Sequence, residues 1–83
     1  MTKQEKLTEK LLNPQAAMTW QELVTLLCSL GYKQVQGSGS RVKFDNGNPL
    51  AAISLHRPHP GNELKAYVKR LVMEHLKEGG MIR

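Results

Sequence analysis

The chain has 83 residues, 40% of them apolar and 23% charged, the balance of one small globular domain. Twelve Lys and Arg against seven Asp and Glu leave a formal charge of +5. That excess favours a polyanionic partner: nucleic acid, an anionic membrane or an acidic protein. A single cysteine, Cys28, excludes an intramolecular disulfide framework and a Cys-rich zinc site. No apolar run approaches the ~18 residues a membrane span needs. The start Met1-Thr2-Lys3-Gln4-Glu5-Lys6 lacks the apolar stretch of a signal peptide, so a cytoplasmic location without membrane association is expected.

In chain order, a first helix is predicted over residues 1–13, carrying Leu7, Leu11 and Leu12 among alternating Lys and Glu. Asn13-Pro14 ends it, because a residue before proline avoids the helical region. Three fates are open to it: packing on the domain, self-association, or fraying. Thr19-Trp20-Gln21-Glu22 is a capping box, with Met18 and Leu23 at staple positions. Leu23, Leu26, Leu27 and Leu30 recur at i, i+3, i+4, i+7, which predicts a helix from Thr19 to Leu30, closed by Gly31. Cys28 lies inside this helix and reads as a small buried apolar residue.

The pattern then becomes strand-like. Residues 33–36 alternate weakly around Val35, and Arg41-Val42-Lys43-Phe44 alternates cleanly with Val42 and Phe44 inward. Asp45-Asn46-Gly47-Asn48-Pro49 is a turn, and residues 50–55 form a third strand. A last helix is predicted from Asn62 or Glu63 to Lys77, between Pro60-Gly61 and Gly79-Gly80. Its apolar stripe is Leu64, Val68, Leu71, Val72 and Leu76, with Lys65, Lys69 and Arg70 on the outer face. The fold class is therefore α+β. A three-stranded antiparallel meander carries both helices on one face (αβββα), with residues 1–18 as a helical extension and residues 19–83 as the domain.

Two segments could carry chemistry. In Gln36-Gly37-Ser38-Gly39-Ser40-Arg41, glycines expose backbone amides and hydroxyls that can bond a phosphate; the plainer reading is a hairpin turn. In His56-Arg57-Pro58-His59-Pro60-Gly61, the imidazoles exchange protons near neutral pH. RNA cleavage needs a base, an acid and cations, and His56, His59, Arg57 and Lys65 are those types. The plainer reading is a rigid proline connection with histidines wet on a turn. No carboxylate or cysteine cluster joins the two histidines, so no metal and no cofactor are expected. His75 reads as a helix-edge packing residue. Arg41, Lys43, Arg57, Lys65, Lys69 and Arg70 together make a patch for the phosphate backbone. Few aromatic residues argue for recognition of phosphate and shape over base stacking. A helix-turn-helix reader would need a second helix soon after Gly31, where the chain turns strand-like.

Thr19-Trp20-Gln21-Glu22-Leu23-Val24 with Leu27 and Gly31-Tyr32-Lys33, the Gly-Ser segment before a strand, and His59-Pro60-Gly61-Asn62-Glu63-Leu64-Lys65 together resemble the HicA toxin family. The resemblance covers about residues 19–76 and rests on order and spacing rather than on any one motif. It implies a fold like a double-stranded-RNA-binding domain. It also implies a metal-independent ribonuclease that cuts mRNA until an antitoxin of the HicB type covers the site. The family's catalytic histidine directly follows a Gly-Ser or Gly-Gly pair; here that position is Arg41, or Ser40 in the other register. Arginine stays protonated and cannot be a base, though it can stabilise a pentavalent phosphate. The resemblance thus leaves three outcomes: cleavage through His59 or His56 with Arg41 and Ser40 beside them, RNA binding without cleavage, or a protein-interaction module.

Overall fold

The computed structural model describes residues 2–47, 52–58 and 61–80. Its elements are α1 (Lys3–Leu12), α2 (Trp20–Ser29), β1 (Lys33–Gln36), β2 (Arg41–Asp45), β3 (Ile53–His56) and α3 (Ala66–Glu78). Helix α2 starts where its capping box dictates. The Thr19 hydroxyl accepts from the Glu22 amide at 3.2 Å, and a Glu22 carboxylate oxygen accepts from the Thr19 amide at 3.0 Å. Gly31 at φ 98° ends the helix in the left-handed region, as the sequence predicts.

The strands form one antiparallel sheet in the order β1-β2-β3. Val42 pairs with Leu55 and Phe44 with Ile53, so all four fall on one face, and all are buried. Met18, Leu23, Leu26 and Leu27 from around α2, with Val72 and Leu76 from α3, complete the same core. Both helices therefore cover one side of the sheet, giving the α+β architecture of a double-stranded-RNA-binding domain. Each such buried side chain is worth about 1.5–3 kcal/mol. Trp20 and Phe44 meet at a tilted 54° with ring centroids 5.8 Å apart, a favoured aromatic geometry.

Helix α1 docks against α2 and α3, the first of the three fates open to it. Leu7 and Leu11 are buried in the common core, and Lys10 pairs with Glu22.

Helix α3 begins at Ala66, later than the Asn62 or Glu63 of the sequence reading. The reason is tertiary. Trp20 donates its amide to the Asn62 carbonyl at 2.6 Å and Leu64 donates to Met18 at 2.8 Å. With Thr19 and Glu63 bridged, residues 62–64 run extended beside the entrance to α2 and cannot be helical. Lys65 takes the N-cap position instead and makes no side-chain cap bond. Leu71, expected in the apolar stripe, is 44% exposed, whereas Lys69, expected outside, is 5% exposed. Cys28 is exposed rather than buried, because one residue past Leu27 lies about 100° around the helix from the apolar stripe. Residues 50 and 51 of the expected third strand lie outside the described residues; β3 itself begins at Ile53.

Candidate functional site

The Gly-Ser segment is the hairpin between β1 and β2. The Gly37 amide donates to the Arg41 carbonyl at 2.9 Å, and the Arg41 amide donates to Ser38 at 3.1 Å. Gly39 turns the chain at φ 60°, and a Cβ at Gly37 would stand 3.0 Å from the Arg41 carbonyl oxygen. The Gly37 amide thus closes the hairpin and does not face outward as a phosphate donor. The segment is the hairpin turn of the plainer reading, with the Gly37 and Arg41 amides used inside it.

What the hairpin positions is Ser40. Its carbonyl accepts from the Arg57 amide at 2.8 Å, extending the β2–β3 pairing by one bond. Its hydroxyl lies 3.4 Å from Nδ1 of His56. Arg41 and His56 are direct partners in the ladder and share the open face of the sheet, away from the helices. An Nη of Arg57 donates to the Gln36 side-chain oxygen at 3.3 Å, tethering the guanidinium to the hairpin. Residues 40–41 and 56–57, far apart in the chain, therefore meet at one corner of the sheet.

That corner borders a cleft of ≈ 320 Å³ between the end of β3 and the start of α3. Ser40, His56, Arg57 and Pro58 form one wall, and Glu63, Leu64, Lys65, Tyr67 and Val68 the other. The first turn of α3 carries no acidic residue and no side-chain cap, so the positive end of the helix dipole at this wall of the cleft is not offset by a carboxylate. With Arg57 and Lys65 alongside, the cleft suits an anion. Glu63 is the acidic side chain of its lining.

The other expected residues separate. Arg41 and Lys43 are exposed on the open sheet face beside His56. Arg70 is exposed but lines a different pocket of ≈ 180 Å³, with Leu11, Leu12 and Pro14 of the α1 side. Lys69 is turned inward: its ammonium donates to the carbonyls of Asn13 and Ala16 at 2.6 and 2.5 Å, so it is not on the outer basic face. Burial, and then the nearby charge of Lys10, lower its pKa from the ordinary lysine value. His59 lies outside the described residues. His75 packs at the helix edge as expected, with Nε2 3.1 Å from the Ala52 carbonyl.

Tyr67, in the first turn of α3, lines the cleft without having been singled out by the sequence. Among the described residues, no group of three His, Cys, Asp or Glu side chains could hold a metal, and no helix is long and apolar enough to cross a membrane.

No curated protein and no solved structure matches the chain. Residues 20–80, from the first residue of α2 past the end of α3, match the family described as the HicA toxin of bacterial toxin-antitoxin systems. This chain belongs to the HicA toxin family, and is the toxin that pairs with an antitoxin.

Proposed function

We propose that this toxin acts on messenger RNA in the cytoplasm, binding the RNA backbone at the cleft between β3 and α3 and cleaving it without a metal, so that translation and growth stop until an antitoxin of the HicB type covers the site. The observation that carries this reading is the Ser40–His56 contact of 3.4 Å at a cleft that Arg57 and Lys65 also line. His56 takes the proton of a ribose 2′-hydroxyl, and the oxygen attacks the adjacent phosphorus. The 5′-oxygen leaves with a proton from an acid, giving a 2′,3′-cyclic phosphate and a 5′-hydroxyl end. Ser40 orients the imidazole. Arg57, Lys65 and the neighbouring Arg41 offset the charge that builds on the phosphoryl oxygens. Lys43 extends the positive surface along β2, and His59, three residues beyond His56, is the second proton-transfer candidate. The imidazole thus reaches the start of β2 from the adjacent strand, in place of a histidine on β2 itself.

Cleavage of mRNA by purified protein in EDTA tests this. Product ends should be 2′,3′-cyclic phosphates, and His56→Ala should slow cutting by about 10²-fold or more, the usual scale of general acid–base catalysis. Ser40 and Arg41 standing where a histidine is expected favour a second reading, binding without cutting. RNA binding with no cleavage would establish that one. If the induced wild-type protein neither binds RNA nor slows growth, both fall.

A further inference from the structure

The chain's aromatic side chains divide sharply. Trp20, Tyr32 and Phe44 are buried at 7%, 3% and 0% exposure, whereas Tyr67 is 64% exposed. An exposed ring adds nothing to the core, and tyrosine is a mediocre helix former, so neither packing nor propensity accounts for it. Its position is specific. It stands in the first turn of α3, on the wall of the cleft that also carries Lys65, opposite Ser40, His56 and Arg57.

We infer that Tyr67 is a stacking platform for one unpaired nucleobase, and that the substrate of this site is single-stranded RNA. The inference rests on the RNA reading above and specifies its substrate class. A phosphate held by Arg57 and Lys65 leaves the neighbouring base within the same cleft, against the tyrosine face. Inside an A-form duplex each base face is covered by its neighbours, so away from the ends a protein ring can stack only on a base that is splayed out. Phosphate contacts alone do not make this distinction, because both forms of RNA carry them. One ring at this position is the reason for preferring a stacked base here over the recognition of phosphate and shape expected from the low aromatic content.

The test uses a non-cleavable 2′-O-methyl oligoribonucleotide, as a single strand and as a duplex long enough that its ends are a small share of the sites, titrated with wild type, Tyr67→Phe and Tyr67→Ala at fixed salt. The wild type should bind the single strand more tightly than the duplex. Tyr67→Ala should weaken single-strand binding by about tenfold, the scale of one lost stack. Tyr67→Phe should keep that affinity, and duplex binding should be the same for all three. Unchanged single-strand affinity in Tyr67→Ala, or an equal loss on both RNAs, would overturn the stacking role and leave RNA binding standing. A wild type that binds neither RNA overturns the RNA reading and the stacking role together.

Discussion

The Lys69 ammonium donates to the backbone carbonyl of Asn13 at 2.6 Å, joining positions 56 apart in the chain. A second bond, to Ala16, ties the first half of the α1–α2 connection to one side chain of α3. Lys69, Val72 and Leu76 follow one another at i+3 and i+4, so the lysine occupies a core-facing position of the helix. Its stem packs as an apolar residue would, and its head finds carbonyls at the end of α1.

Replacing Lys69 should therefore destabilise the fold in a graded way. Lys69→Met keeps the stem but deprives the Ala16 carbonyl of its partner, and should cost about 1–2 kcal/mol. Lys69→Ala also loses packing and should cost roughly 2–4 kcal/mol. Urea midpoints should fall in the order wild type, Met, Ala; an unshifted midpoint for Lys69→Ala would refute the role. The pH dependence has a definite sign. The folded state holds this proton less tightly than the unfolded state, whose lysine keeps its ordinary value of 10.5. As pH rises through the folded value towards 10.5, the wild type should gain stability relative to Lys69→Met.

Glu22 serves two partners, receiving the Lys10 ammonium on one oxygen and the Thr19 amide on the other. The hydrogen bond from Lys10, and next that from Thr19, hold its carboxyl below the ordinary value of 4.5. The unfolded state then binds the proton more tightly, so this contribution is present above 4.5 and is lost as pH falls through the folded value. Thermal melts of wild type and Glu22→Gln should differ at neutral pH and converge on acidification. A gap that widens in acid would contradict the pairing.

Arg57 and Lys65 line the cleft, whereas Lys69 is buried and Arg70 sits towards α1. Arg57→Gln and Lys65→Gln should each reduce the slope of log affinity against log salt by about 0.7 for single-stranded RNA, one phosphate contact apiece. Arg70→Gln should leave the slope nearly unchanged. Equal effects from all three would mean a diffuse basic surface in place of a defined cleft.

Much of the fold is legible in local sequence because its causes are local. The capping box spans four residues, from Thr19 to Glu22, and the alternation of Val42 and Phe44 needs only the period of a strand. These patterns place α2 and β2, and with them the α+β order. The same locality makes Ser40, Arg41, His56 and Arg57 nameable as candidates, since each is a reactive or cationic residue in a polar connection.

Their meeting is not legible. Ser40 and His56, 16 positions apart in the chain, come together because the register of β2 on β3 sets His56 opposite Arg41, next to Ser40. The late start of α3 follows from backbone bonds between residues 62–64 and the entrance to α2, and Tyr67 in its first turn lines the cleft. The periodicity of α3 alone shows Lys69 as a charge and therefore as surface. Docked α1 covers that side, and Asn13 and Ala16 of the connection that follows it supply carbonyls for the ammonium. Charge and period predict exposure only while the neighbours are water, and which neighbours replace water is decided by contacts that no short window of sequence contains.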